Sequence, residues 1–373
     1  MPGQRAMQVN LDAWAQRIWY EPRHPLSLLL RPLSWLFHLL VTLRRLAYAR
    51  GWLKREQLSC PVIVVGNLTV GGTGKTPFII RLAALLQARG RRVAIINRGY
   101  GGRSAEWPRQ VLPETTTAEV GDEAVLLAKR TGVIVVSGPD RVAAARRAIE
   151  LGADVVLSDD GMQHYRLIRD CEIAVVDAAR AYGNGQLLPS GPLREPLTRL
   201  KEVALVVLTR RELTAAEKAK TLGRPAAASD LRSITATAQL RNAVGIVNGR
   251  ERTLESFRGQ PVRAIAAIGH PEAFFAALRA QGLTVEGRAL PDHAELTLRD
   301  LASRGNAPVL MTEKDAVKVK GIADERHWAV PLELQLSPAD EETLNQLLDK
   351  LLLKPGAGKK KGGGKAPAKK KGR

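Results

Sequence analysis

Residues 61–77 read PVIVVGNLTVGGTGKTP. A β-branched run ends at Gly66, glycines follow at 71, 72 and 74, and Lys75-Thr76 opens TPFIIRLAALLQARG, whose apolar residues recur at helical spacing. Strand, glycine turn, lysine, hydroxyl and helix in this order describe a phosphate-binding loop. Glycines let backbone N–H groups turn toward phosphate oxygens, and the helix N-terminus adds positive potential. In this reading Gly71, Gly72, Thr73 and Gly74 wrap a polyphosphate, Lys75 reaches its β and γ phosphates, and the Thr76 hydroxyl ligates Mg²⁺. The strict pattern G-x-x-x-x-G-K-[ST] asks for glycine where Thr69 stands, a loss that Gly71 and Gly72 can offset. The plain alternative is a glycine-rich turn that merely ends a strand.

Downstream, short Val/Ile runs alternate with helical patterns: RRVAIINRGYGG, DEAVLLAKRTG, VIVVSG, a helix over Arg141 to Leu151, ADVVLSDDG, then CEIAVVDA and ALVVLT. Continuous apolar strands separated by helices imply parallel strands buried on both faces. The expected fold is α/β, a P-loop NTPase-like doubly wound parallel sheet over 59–211. Residues 212–259 read as a polar connection. A second, smaller α/β domain is expected over 260–353, with helices over Leu296 to Arg304 and Pro338 to Leu353. Residues 354–373, KPGAGKKKGGGKAPAKKKGR, have no apolar residue beyond alanine and should form a disordered lysine-rich tail.

The first 58 residues differ from the rest. LSLLLRPLSWLFHLLVTLRRLAY, from Leu26 to Tyr48, is apolar and helical in pattern, but its longest uncharged run, Pro32 to Leu43, is twelve residues. Crossing a bilayer takes about 20. Arg31, Arg44 and Arg45 bracket that run beside Trp35 and Phe37, which suits helices lying on an anionic membrane surface. A helix pair packed on the protein's own core, with snorkelling arginines, is the alternative. Asp12 and Glu21 ahead of the apolar part argue against a cleaved signal peptide.

Length and composition agree with an enzyme-sized globular protein: 373 residues, 45% hydrophobic and 25% charged. Cys60 and Cys171 are too few for a disulfide framework or a thiolate metal site. The net charge of +20 invites a nucleic-acid reading. Nine Lys/Arg without an acid in 354–373 and nine against three acids in 1–60 carry most of it, leaving a near-balanced body, so no specific nucleic-acid partner is expected.

A bound nucleotide needs an acidic partner for its metal at a neighbouring strand end, and DVVLSDDG supplies Asp159 and Asp160. Two adjacent carboxylates repel unless a cation lies between them and the phosphates. Phosphoryl transfer also needs a group to orient the acceptor. Asp122 and Glu123, in VGDEA, come first in chain order, although acids in a first helical turn already favour the dipole. His164, His270 and His293 sit at strand ends and are open to catalytic or structural roles.

Taken together, GNLTVGGTGKTP, NRGYGG, VGDE, SDDGMQH, GNGQLLPSGPLREP, IGHPE, PDH and TEKDAVK occur in the order that resembles the tetraacyldisaccharide 4′-kinases, over roughly residues 10–350. The resemblance implies an ATP- and Mg²⁺-dependent kinase at the cytoplasmic face of the inner membrane of Gram-negative bacteria, peripheral or monotopic. Its substrate would be tetraacyldisaccharide 1-phosphate, phosphorylated on the 4′-hydroxyl late in lipid A biosynthesis. It implies Asp122 as the base, paired with His293, and places Gln163, His164, Arg194 and Glu195 along the same cleft, where an arginine can stabilise the transferred phosphoryl group. Ala294 and Glu295 after the PDH histidine, Asn97 before RGYGG, and the lysine-rich tail depart from the family pattern. Two rivals remain: a P-loop GTPase or metallochaperone-like NTPase, and a basic-tail nucleic-acid-binding protein. TEKD sets Lys314 directly beside Asp315, the wrong spacing for the N-K-x-D that reads guanine.

Overall fold

The structure, a computed structural model, describes residues 15, 17–21, 24–211, 231–303 and 305–353. The lysine-rich tail, the first fourteen residues and much of the expected connection lie outside them. Helices α1 (Pro25–Leu29) and α2 (Arg31–Ala49) come first. Then follow β1 (Val62–Gly66), α3 (Lys75–Gln87), β2 (Val93–Asn97), β3 (Arg109–Gln110), α4 (Thr117–Val120), α5 (Asp122–Thr131) and β4 (Ile134–Ser137). The first sheet continues through α6 (Arg141–Glu150), β5 (Val155–Asp159), β6 (Cys171–Asp177), β7 (Leu205–Arg211) and β8 (Ser233–Leu240).

A second unit contains β9 (Ala243–Gly245), β10 (Glu251–Arg252), β11 (Pro261–Ala266), α7 (Pro271–Ala280), β12 (Thr284–Ala289), α8 (Leu298–Leu301), β13 (Val309–Thr312), α9 (Glu313–Ala316) and β14 (His327–Val330). The chain then returns to the first sheet with β15 (Leu332–Leu336) and α10 (Pro338–Leu352).

The large sheet has the order β15-β8-β7-β6-β1-β5-β2-β4-β3. Its central strands are parallel, as expected from their unbroken Val/Ile runs, while the edge strands β3 and β15 are antiparallel. Its two faces bury separate apolar layers, one around Phe78, Ile79 and Leu82 of α3, the other around Val142, Ala145 and Ala148 of α6. The chain leaves β1 toward β2 on one side of the sheet and reaches β6 on the other. The crevice of a doubly wound fold therefore opens at the carboxyl end of β1. The register pairs Val65 of β1 with Asp159 of β5, which sets the acidic strand end beside the glycine turn.

The smaller sheet runs β10-β9-β14-β13-β11-β12, with β11–β14 parallel among themselves. The expected domain boundaries differ from the observed ones. Within 231–259 lie β8, which belongs to the large sheet, and β9 and β10, which belong to the small one. At the other end β15 and α10 pack on the large sheet, Leu344, Leu348 and Leu351 joining the layer of Phe78 and Leu82. SITATAQL, next to the sheet edge, and LELQL, the antiparallel edge itself, are only half-buried, so a search for continuous apolar runs passes over them. Cys60 and Cys171 are buried free thiols.

On α2 the sequence pattern is inverted relative to a core helix. Leu33, Trp35, Leu36, Leu39, Leu40 and Leu43 are all at least half exposed, whereas its buried residue is Ser34. At 100° per residue the exposed set covers roughly 160° of arc. Among the described residues no helix is long and apolar enough to cross a membrane.

Candidate active site

The turn after β1 bends at Gly71 (φ 101°) and Gly74 (φ 82°), and a Cβ on Gly74 would meet the Thr209 side chain at 3.0 Å. Only glycine fits both demands there. Lys75 and Thr76 open α3, as the motif requires. Lys75 Nζ donates to Asn67 Oδ1 at 3.0 Å and lies 3.7 Å from Asp160 Oδ1. Asn67 also donates to the Thr69 and Gly71 carbonyls, while Arg180 donates to the Gly72 carbonyl and Thr209 to that of Thr73. The loop is thus held from outside, and its inward N–H groups are spared that task. Thr73 Oγ1 is buried without a hydrogen-bond partner, an orphan that a phosphate oxygen would satisfy.

Asp159 and Asp160 end β5, and Asp160 adopts the left-handed region (φ 49°). The Asp160 carboxylate faces Lys75 and Arg194. Arg194 Nη1 donates to Asp160 at 2.9 and 3.2 Å. Burial opposes ionisation of Asp160, yet Lys75 and Arg194 outweigh it and bring its pKa down to about 2. Asp159 goes the other way: burial, then the nearby charge of Glu123, raise its proton affinity. Arg141, itself buried, donates to the Asp159 backbone carbonyl.

The residues fit a magnesium–nucleotide complex. No group of three His, Cys, Asp or Glu able to hold a metal alone exists among the described residues. Mg²⁺ ordinarily takes one or two carboxylates and completes its shell with phosphates and water. Asp159, Asp160 and the Thr76 hydroxyl, beside a phosphate-shaped turn, meet that description, and a cation would offset the disfavoured charge on Asp159.

Across the crevice the smaller unit supplies His293, also left-handed (φ 59°), whose Nδ1 lies 3.0 and 3.1 Å from the Asp122 carboxylate. Asp122 opens α5 after Gly121 (φ 86°), where a Cβ would strike the Tyr100 carbonyl at 2.2 Å. Two lysines of TEKDAVK complete this cluster. Lys314 Nζ reaches His293 Nε2 at 3.1 Å, Asp292 at 3.3 Å and Glu123 at 3.3 Å. Lys318 Nζ reaches Asp122 at 3.3 Å and the fully buried Asp315 at 3.0 Å. Burial of Asp122 favours its neutral form, but the His293 hydrogen bond and the charges of Lys314 and Lys318 prevail and hold its pKa at about 2.

The tautomer follows from the donors. Burial works against the Lys314 charge, but Glu123, Asp292 and Asp122 raise its pKa above the ordinary lysine value. An ammonium can only donate, so His293 Nε2 accepts and Nδ1–H donates to Asp122. Asp122 is therefore a carboxylate that accepts from the His293 ring.

Other expected residues fall in varied places. Gln163 is beside the acids in sequence, with its Nε2 buried and unpartnered. His164 has its pKa pulled down to about 4 by burial and then by Arg141 and Arg44. Glu195 is not on an open cleft wall: it is 1% exposed and ion-paired to Arg199, which also holds Glu172. His270 precedes α7. Lys314 and Asp315 are engaged with His293 and with the Ala267 N–H, leaving no guanine reader in TEKD. Asn67, Arg180, Lys314 and Lys318 went unassigned in the sequence reading. Only the lysine pair, spaced i,i+4 and both inside a quoted motif, carried a usable signal.

Residues 26–353 match the family model described as tetraacyldisaccharide-1-P 4′-kinase. The tetraacyldisaccharide 4′-kinase of Nitrosococcus oceani is 46% identical over 86% of this chain and 90% of its own. The chain belongs to the tetraacyldisaccharide 4′-kinases. Their counterpart in Stenotrophomonas maltophilia is 45% identical over 89% of this chain and 96% of its own. A crystal structure of LpxK from Aquifex aeolicus, in complex with ATP, superposes with a TM-score of 0.72 at 29% identity, covering 87% of this chain and 99% of that one. As a tetraacyldisaccharide 4′-kinase the protein is a phosphotransferase of lipid A biosynthesis acting on a tetraacylated disaccharide.

Proposed function

We propose that this kinase moves the γ-phosphoryl group of ATP, held over Gly71–Thr76, to the 4′-hydroxyl of tetraacyldisaccharide 1-phosphate seated between Asp160 and the Asp122–His293 pair. The observation that carries this reading is the pairing itself. A histidine from one unit locks a carboxylate of the other, facing a strand end whose two acids differ in proton affinity. Mg²⁺ on Asp159, Asp160 and Thr76 supplies neutralising charge at the phosphates. Lys75 and Arg194 add positive charge where the phosphoryl oxygens gain negative charge.

Asp122 accepts the hydrogen bond of the 4′-hydroxyl, orients its lone pair, and takes its proton as the new O–P bond forms and the bond to ADP breaks. A pKa of about 2 makes Asp122 a weak base. That suits a loose transition state, in which the nucleophile keeps its proton until late and positioning dominates. The exposed apolar face of α2, with exposed Arg31 and Arg50 at the two ends of the helix, lies on the cytoplasmic leaflet and brings the site to a substrate whose acyl chains stay in the bilayer.

Incubation of the protein with labelled ATP, Mg²⁺ and the lipid disaccharide tests this reading through the appearance of a doubly phosphorylated lipid. Asp122→Asn should cut kcat by about 10²- to 10⁴-fold with little change in the KM for ATP. Wild-type turnover in that variant would remove Asp122 from its role.

A further inference from the structure

The helices α1 and α2 turn serines, not leucines, toward the protein. Ser27 and Ser34 are their buried residues, and both bond to one loop, 184–194. Ser27 Oγ donates to the Ser190 carbonyl at 3.0 Å, and Ser190 Oγ returns a bond to the Ser27 carbonyl at 2.7 Å. Ser34 Oγ donates to the Leu187 carbonyl at 2.7 Å while accepting from the Ser190 N–H at 3.0 Å. Asn184 Nδ2 closes the set on Ser27 Oγ and the Ser190 carbonyl. Ser190 is fully buried, so these groups have no water to fall back on.

The far end of the same loop enters the catalytic crevice. The Val70 N–H donates to the Pro192 carbonyl at 2.8 Å and the Arg194 N–H to the Leu68 carbonyl at 2.6 Å, with Thr69 and Leu193 bridged as antiparallel neighbours. One residue on, the Arg194 guanidinium holds Asp160. Between its ends the loop is braced by its own backbone bonds, Leu188 to Leu193 and Gly191 to Leu187.

We infer that Ser27 and Ser34 are positioning residues for phosphoryl transfer, acting through loop 184–194 on Arg194 and the phosphate loop. The outward face of the hairpin meets lipid and its inward face sets catalytic geometry, so the hairpin is a structural part of the site as well as a dock. This deepens the proposed kinase reading and rests on it for the roles of Arg194 and the outward face.

The test uses full-length Ser27→Ala/Ser34→Ala protein in three measurements. Sedimentation with phosphatidylglycerol-containing vesicles should match wild type, because neither serine lies on the outward face. Turnover of detergent-dispersed lipid substrate should fall between about 10- and 100-fold, the scale of a small misplacement of reacting groups. Binding of a fluorescent ATP analogue, measured without lipid, should weaken in parallel. A double-mutant cycle separates positioning from general destabilisation: in an Arg194→Ala background the serine substitutions should have little further effect on kcat. Turnover and nucleotide affinity within twofold of wild type, or full additivity with Arg194→Ala, would overturn the inference. Ser27→Ala alone, which leaves the Ser34 bonds to Leu187 and Ser190 intact, carries the same cycle if the double variant fails to fold. A wild-type protein without lipid kinase activity would instead defeat the underlying function, a result the nucleotide-binding arm keeps distinct.

Discussion

Lys314 meets a histidine, two carboxylates and little water, and its charge decides the state of everything around it. Replacing it with methionine removes the contact to His293 Nε2 and leaves Glu123 and Asp292 without their cation. Lys314→Met should lower kcat by about tenfold or more. Lys314→Arg should restore part of the turnover; wild-type kcat in the methionine variant would remove Lys314 from the support of the Asp122–His293 pair. His164 offers a stability test. Its folded pKa is depressed from 6.5 to about 4, so between these values the unfolded chain binds a proton that the folded one refuses. Stability therefore falls as pH drops through 6.5, with the loss complete below about 4. Partial exposure reduces the effect to the order of 1–2 kcal/mol. Urea unfolding at pH 7 and pH 5 should show this loss in wild type, with that part absent in His164→Gln.

At the scale of the element, the two faces of α2 differ in what they present. Ser34 and two arginines hold the protein side, where Arg45 pairs with Glu202 and Arg44 lies over the Tyr165 ring. Six large apolar side chains cover the other side. Each gains on the order of 1.5–3 kcal/mol when fully removed from water, somewhat less at a shallow interface. Trp35→Ser/Leu39→Ser/Leu40→Ser should reduce partition onto anionic vesicles by at least about tenfold, or ~1.4 kcal/mol, without changing ATP-analogue binding in solution. Vesicle binding that survives the triple substitution would remove the docking role from this face.

Over the whole molecule, the two sheets meet at a cleft of about 600 Å³ lined by Arg130, Glu313 and Glu333 among others. Arg130 ends α5, the helix that Asp122 begins, and pairs with Glu313 of α9 and with Glu333 of β15. One guanidinium thus ties the lysine-bearing helix of the small unit to both parts of the large one. Arg130→Ala should cost about 1–3 kcal/mol in urea unfolding and lower kcat several-fold, as α9 and His293 lose their seat. Arg147→Ala, which breaks the exposed pair with Glu150, should stay within about 0.5 kcal/mol of wild type.

Much of this was legible in the chain. The phosphate turn, the acidic end of β5 and the parallel core are local, since each depends on residues adjacent in sequence whose conformations glycine, valine and charge repulsion restrict. The Asp122–His293 contact joins residues 171 apart, and only the family pattern suggested it. Asn67 and Arg180 were out of reach for another reason: a charged or amide side chain looks the same in sequence whether it faces solvent or a buried partner. The apolar and basic character of α2 was written in its leucines and arginines. That Ser27 of α1 and Ser34 of α2 clasp the loop carrying Arg194, and that β15 and α10 return to the large sheet, was decided by tertiary structure. Such choices are made by which buried polar groups and apolar faces find partners once the chain has closed on itself.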